Sequence, residues 1–364
     1  MRAATVTVSL GNASYDITIG PGVLEQLPTV LARTCPAARY AVITDATVAQ
    51  HYGPRVRDLA ATVAPCELLT FPAGEWNKTR EHWQALSDAL LAVGLGRDGA
   101  IIALGGGVTG DLAGFVAATY LRGIPVVQVP TSLLAMIDSS IGGKTGVDTP
   151  QGKNLIGVFH QPRAVVADVT TLATLPHPHL AAGAAEALKH GAIADAAYFE
   201  RVVADRAAVL DAEPDVLASL VTRSVTLKAA VVTADEHERG QRAVLNVGHT
   251  IAHALETVGG YALLHGEAVG IGMVLEARLG TRLGITDAGT DAALADALEA
   301  YGLPVERPAG SADALLDAMR VDKKARSGTV RFAFLKRIGQ AARNAGPEWT
   351  FSAPEETIRS VLGA

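Results

Sequence analysis

The chain has 364 residues, of which 49% are hydrophobic and 19% charged, with a formal net charge of −6. That length exceeds what one ordinary core fills, so two domains are expected, and the composition excludes a disordered chain. The acidic balance argues against nucleic acid or an anionic membrane as the main partner, while leaving room for a local basic pocket around a small anion.

In chain order, residues 4–19 alternate apolar and polar positions and read as two strands around a hairpin turn at "GNAS". The same stretch has no apolar h-region, so no signal peptide is expected. "YAVITDATV" reads as a buried parallel strand and its exit, and Cys66 opens another strand in "CELLTF". Cys35 and Cys66 are too few for a disulfide framework or a cysteine-based zinc site, which points to a reducing compartment. "EHWQALSDALLAVGLG" has helical period and stops at glycine, "GAIIALGGGVTGDLAGF" is strand, glycine loop and helix, and "IPVVQVPTS" is again a buried strand. Near "TLATLPHPH" the texture changes, and the chain beyond it is Ala/Leu-rich with helical spacing. The reading is a Rossmann-like α/β domain with a mostly parallel sheet over 1–176 and an α-helical domain over 177–364. "GTVRFAFLKRIGQA" suggests a late hairpin and "PEETIRSVLGA" a closing helix. No uninterrupted apolar run is long enough to span a bilayer, so a cytoplasmic location is expected.

Three stretches carry chemistry. The glycine loop places Gly105, Gly106, Gly107 and Gly110 between strand and helix, where backbone N–H groups can meet a phosphate. Asp45, at a strand end, suits a ribose hydroxyl, although an aspartate there is commonly just a helix cap. "DSSIGGKTGVDTPQGKNLIGVFHQP" sets Lys144 and Lys153 among glycines, which fits a phosphorylated or carboxylated ligand. In "NVGHTIAHALETVGGYALLHGEAVG", His249 and His253 share a helical face and His265 lies further along. Two histidines of a catalytic metal need a third donor, for which His253, Glu267 and Glu186 are candidates. Each of His249 and His265 adjoins a glycine, which is expected to leave room for substrate beside a metal.

Taken together, "GGGVTGDLAGFVAATYLRG", "IGGKTGVDTPQGKNLIGVFHQP", "AAEALKHG", "LKAAVVTADE", "LNVGHTIAHALE", "LHGEAVGIGM" and "DKKARSGTVRF" resemble the 3-dehydroquinate synthase family of the sugar-phosphate cyclase superfamily. The motifs run in the family's order and carry the resemblance over nearly the whole chain. It implies a dehydroquinate synthase-like fold and a metal, Zn2+ or Co2+, on Glu186, His249 and His265, with His253 in the substrate pocket instead. It implies NAD at Asp45, Glu75, Lys78, Gly106, Gly107, Asp111, Thr131, Ser132, Lys144, Lys153, Thr171 and Thr174; Thr131-Ser132 departs from the family's Thr-Thr pair but keeps a hydroxyl. Around a small sugar phosphate it implies Arg122, Asp138, Lys144, Asn154, Glu186, Lys189, Lys228, Arg242, Asn246, His253 and, from the Lys323-Lys324 pair, Lys324. The reaction implied converts 3-deoxy-D-arabino-heptulosonate 7-phosphate to 3-dehydroquinate by transient oxidation, phosphate elimination, reduction, ring opening and aldol closure. A homodimer is expected. The competing readings are an aminodehydroquinate or 2-epi-5-epi-valiolone synthase, or a metal-dependent alcohol or glycerol dehydrogenase. Such dehydrogenases lack the glycine- and lysine-rich stretch at 142–154, and Arg242 suits a substrate carboxylate that neutral sugars lack.

Overall fold

A computed structural model describes residues 3–150, 152–324, 330–344 and 348–363, with 321–324 described in backbone only. The chain forms two compact units, 1–176 with 211–233, and 177–210 with 234–364.

The strands of the first unit are β1 (Ala4–Val8), β2 (Tyr15–Gly20), β3 (Tyr40–Asp45), β4 (Cys66–Phe71), β5 (Ala100–Gly105), β6 (Val126–Pro130), a separate hairpin of β7 (Lys144–Thr149) and β8 (Gly152–Phe159), and β9 (Ala164–Asp168). Seven of them form one sheet in the order β1-β2-β9-β6-β5-β3-β4, parallel throughout except for β1 against β2. The first hairpin connection is longer than a tight turn, with one 3-10 turn at Gly11–Ala13. Helices α1 (Leu27–Thr34), α2 (Ala46–Ala61), α3 (Arg80–Ala92) and α4 (Gly107–Thr119) cover the sheet. Successive residues of a strand face opposite ways, so Val42, Ile102 and Leu104 pack with Leu27, Leu31 and Val56, while Ile43, Ile101 and Ala103 pack with Leu86, Leu90 and Leu112. That two-sided burial is why these strands read as continuous apolar runs.

From β3 the chain passes to β4 on one side, then to β5 on the other. The strand order therefore reverses at the β3/β5 pair, and the carboxyl ends of those strands frame the place where such sheets bind ligands. The helix Pro214–Ala234 also belongs almost wholly to this unit. By length and mean hydropathy, 1.4 in its most apolar window, it could cross a membrane, but 56% of that window is buried within the protein. Its run is interrupted by Arg223 and Lys228.

The second unit is built on the helices His177–Ala194, His249–Val258, His265–Arg282, Thr290–Ala300 and Ala312–Lys324, with Glu355–Leu362 near the end of the chain. Its core joins Ile251, Leu255, Ile271, Leu275 and Leu279 to Leu315, Met319, Phe332, Phe334 and Ile358. Of the late β-like run, Leu335–Arg337 and Gln340–Ala341 form a hairpin, and Arg331–Phe332 pairs with Phe351–Ser352. Two glycines let the His265–Arg282 helix come close to its neighbours: a Cβ on Gly266 would lie 1.9 Å from the Ala182 carbonyl oxygen, and one on Gly272 would lie 2.0 Å from that of Gly248. Gly248 itself sits at φ +82, facing Met273 and Val269. The glycines beside His249 and His265 thus serve backbone packing. This corrects the expectation that they leave room for substrate.

Candidate active site

In the second unit, one ligand atom from each of Glu186, His249 and His265 lies within 4.8 Å of the other two. Nε2 of His249 is 3.7 Å and Nε2 of His265 is 3.6 Å from Glu186 Oε1. The opposite nitrogen of each ring is held: His249 Nδ1 is 3.1 Å from the Val247 carbonyl oxygen, and His265 Nδ1 is 3.2 Å from Glu256 Oε1. Bonding at Nδ1 fixes the tautomer that aims Nε2 inward, as metal-ligating histidines require. Two imidazole nitrogens and one carboxylate oxygen are a donor set suited to Zn2+ with an open coordination position. Lys189 Nζ pairs with Glu186 Oε2, and both side chains are buried.

Electrostatics support the same use. Burial and the Lys189 cation hold His249 well below its ordinary value, so it is a neutral donor. Burial pushes His265 down as well, but hydrogen bonds to Glu186 and Glu256 outweigh it and carry the ring up to about 10, so a metal binding there would displace the Nε2 proton. The cluster therefore attracts a positive charge.

His253 is not one of this trio, although its ring stands edge-on to His249 with centroids 5.5 Å apart. Glu267, the other acidic candidate, accepts from the Leu264 backbone N–H at 2.8 Å at the start of its helix. Arg242 is buried and donates from Nη1 to the Glu236 carbonyl, and Asn246 donates to Glu238. The Lys324 side chain lies outside the described residues.

Two acids that the sequence reading passed over support the cluster. Glu256 is 2% exposed and holds His265. Glu276, 1% exposed, accepts from the backbone N–H of Gly248 at 2.7 Å and of Ile251 at 3.2 Å. It thereby caps the His249–Val258 helix from a neighbouring one. The available signal was an acid inside an apolar run, "GIGMVLEARLG".

In the first unit, residues gather at the carboxyl ends of the parallel strands. Asp45 ends β3 and caps α2, accepting from Thr47 N–H at 2.9 Å and Val48 N–H at 3.0 Å, while its other oxygen is 3.3 Å from Thr109 Oγ1. Gly106 is the N-cap of α4 with no side-chain cap, and Gly107 begins the helix. A Cβ on Gly105 would meet Thr109 Oγ1 at 2.4 Å, so only glycine fits that turn. Thr131 N–H donates to the Gly105 carbonyl at 2.9 Å, which sets Thr131-Ser132 beside the loop. Thr171 and Thr174 come just after β9, where the Tyr52 hydroxyl donates to the Thr171 carbonyl and lies 2.9 Å from Thr174 Oγ1.

Lys78 is 3% exposed and faces Glu75 at 2.9 Å, Asp111 at 3.2 Å and Asp148 at 3.6 Å. Burial alone would lower its value, but the three carboxylates hold it above the ordinary lysine range. With so many acids sharing one buried ammonium, burial still lifts Asp111 to about 6. Lys153 adds a second cation, 3.5 Å from Glu75. Trp76, on the same turn, is 76% exposed. Lys144 begins β7, Asn154 lies in β8 at φ +54, and Arg122 is exposed at φ +70. Lys228 Nζ contacts the Asp138 carbonyl at 2.5 Å and its carboxylate at 2.6 Å.

Comparison with known proteins points the same way. The family model described as 3-dehydroquinate synthase N-terminal matches residues 68–182, and the one described as 3-dehydroquinate synthase C-terminal matches 183–325. The chain is 49% identical to the 3-dehydroquinate synthase of Caulobacter vibrioides over 93% of this chain and 94% of that protein. It is 45% identical to that of Xylella fastidiosa over 100% of this chain and 92% of that one. A solved 2-deoxy-scyllo-inosose synthase, complexed with carbaglucose-6-phosphate, NAD+ and Co2+, superimposes with a TM-score of 0.90 at 26% identity, covering 99% of each chain. The 2-epi-5-epi-valiolone synthase of Streptomyces hygroscopicus, with NAD+ and Zn2+ bound, gives 0.85 at 28% identity, covering 100% of this chain and 98% of that one. A probable glycerol dehydrogenase from Sinorhizobium meliloti shares the fold, with a TM-score of 0.63 at 18% identity over 94% of this chain and 93% of that one.

Proposed function

Since the chain belongs to the 3-dehydroquinate synthase family, we propose that its first unit holds the dinucleotide and that its second holds the metal. The enzyme converts 3-deoxy-D-arabino-heptulosonate 7-phosphate to 3-dehydroquinate and phosphate, a carbon–oxygen lyase reaction of the shikimate pathway. NAD supplies a reversible hydride acceptor, and the divalent ion, Zn2+ or Co2+, polarises the alcohol that is oxidised.

The observation that carries this reading is the convergence of the His249 and His265 Nε2 atoms on Glu186. In our assignment these three side chains hold the metal, and Lys189 balances the charge of the Glu186 carboxylate. Asp45 takes the ribose hydroxyls, and the backbone N–H groups at Gly106 and Gly107 meet the pyrophosphate. Glu75, Lys78, Asp111, Thr131, Ser132, Lys153, Thr171 and Thr174 complete the dinucleotide contacts. Arg122, Lys144 and Asn154 bind the sugar phosphate, with Lys228 held in place by Asp138. Arg242 takes the substrate carboxylate through its planar fork, and Asn246 and His253 orient the hydroxyls. Lys324 is assigned to the substrate as well. In the same reading the enzyme works in the cytoplasm as a homodimer. β8 exposes Leu155, Ile156 and Val158, and among the described residues it pairs only with β7. Such an edge favours a second copy, and light scattering should give twice the chain mass.

The test is phosphate release with NAD and Zn2+. Release from the deoxyheptulosonate phosphate, with no net NADH, is expected. Release only from sedoheptulose 7-phosphate, or steady NADH without phosphate, would overturn the reading.

A further inference from the structure

The β7–β8 hairpin is irregular at one point. Val147 pairs with Ile156 and Thr149 with Gly152, so the single residue Asp148 faces Lys153, Asn154 and Leu155. This is a special bulge, three residues against one, the kind of irregularity that re-aims side chains. At its apex Asn154 takes φ +54, an uncommon conformation for a residue with a side chain. Its N–H leaves the ladder and donates to Asp148 Oδ1 at 2.8 Å. The same oxygen lies 3.6 Å from Lys78 Nζ, and the Asp148 backbone N–H donates to the Lys78 carbonyl at 2.7 Å. Lys153 Nζ, on the bulge, reaches Glu75 Oε1 at 3.5 Å, which is itself 2.9 Å from Lys78 Nζ. The contacts close a ring: Lys78, Asp148, Asn154, Lys153, Glu75 and back to Lys78.

We propose that Asp148 is a positioning residue for the reaction: its carboxylate pins the bulge, and so fixes Lys153 and Asn154 relative to the buried Lys78. The proposal rests on the functional reading in which Lys153 meets the dinucleotide and Asn154 the sugar phosphate. Physically, the carboxylate replaces the ladder partner that the bulge removes from Asn154. Losing a hydrogen bond to an ionised group opens the loop and leaves two ligand contacts unplaced. Asparagine at 148 keeps an acceptor for the Asn154 N–H but loses the attraction to Lys78. Alanine loses both.

The test compares Asp148→Ala and Asp148→Asn in the full enzyme. Three quantities are read: the hydrogen-exchange rate of the Asn154 amide, the Kd for NAD, and KM against kcat for the sugar phosphate. Asp148→Ala should expose the Asn154 amide and raise both the KM and the NAD Kd about tenfold, with a smaller change in kcat. Asp148→Asn should keep that amide protected and recover most of the affinity. If Asp148→Ala leaves the amide protected, or leaves KM and Kd unchanged, the positioning role is wrong. If Asp148→Asn is as impaired as alanine while the amide stays protected, the charge matters and the pinning does not, which also overturns the proposal. Should the alanine variant fail to fold, loss of amide protection in Asp148→Asn overturns it alone. Asn154→Ala separates the two levels: an unchanged substrate KM there would sink the assignment of Asn154 to the substrate, while amide exchange still decides what Asp148 does.

Discussion

His249 and His265 present Nε2 to Glu186 because other groups hold Nδ1, and the stronger hold is the buried Glu256 carboxylate. Glu256→Gln should therefore weaken metal binding 10–100-fold without unfolding the protein, measured by competition with a chelator. An unchanged affinity would mean that the ring is oriented by packing alone. Residues of this kind were only partly legible in the sequence. Spacing showed that His249 and His253 share a helical face, yet spacing could not choose between them. The choice depends on where a third donor sits, and Glu186 comes from a separate helix. The family motifs drew attention to Glu186, whereas nothing but an acid in an apolar run pointed to Glu276. The cysteines make a second residue-scale prediction. Burial pushes Cys35 and Cys66 up to about 11, so at pH 8 only about one thiol in a thousand is ionised. Both should react slowly with a thiol reagent in the native state and quickly after unfolding. Because the unfolded chain's thiols ionise first, their contribution to stability is intact below pH 9 and is lost as pH rises through about 11.

Among the elements, the start of the His249–Val258 helix has no cap of its own and takes Glu276 instead. Removing that carboxylate leaves buried N–H groups unmet, so Glu276→Ala should cost about 1–3 kcal/mol in a denaturant titration. Gly272→Ala should cost at least as much, because its Cβ would lie 2.0 Å from a carbonyl oxygen and neither backbone can yield cheaply. A variant melting like the parent would refute the close-approach argument. The parallel strands were easy to read because burial on both faces makes them uniformly apolar. The β7–β8 hairpin was not, because its glycines look like loop residues. Gly146 and Gly157 are in fact opposite each other, where a Cβ on Gly157 would meet the Thr145 carbonyl oxygen at 2.4 Å. Crowding across the ladder, not a turn, calls for glycine there.

At the scale of the molecule, the helix Pro214–Ala234 is separated in sequence from the unit it completes. No local pattern reports that assignment, since helical period gives the buried face but not what lies against it. Ligand linkage offers a global test. NAD at about one hundred times its Kd should stabilise the enzyme by about 2.7 kcal/mol, read as a rise in the calorimetric midpoint. No rise at saturating NAD would contradict the dinucleotide site. In the proposed assignment, the turn at Glu75–Lys78 also makes the enzyme its own sensor. The chain has three tryptophans. Trp83 donates to Thr119 and packs near Phe115, and Trp349 lies under Arg343, but Trp76 stands in solvent between Glu75 and Lys78. Its emission is the one most sensitive to a ligand arriving at that turn, and a reduced nicotinamide ring absorbs in the region where an indole emits. Intrinsic fluorescence could then follow the redox state of the bound cofactor within a single turnover, with no added dye.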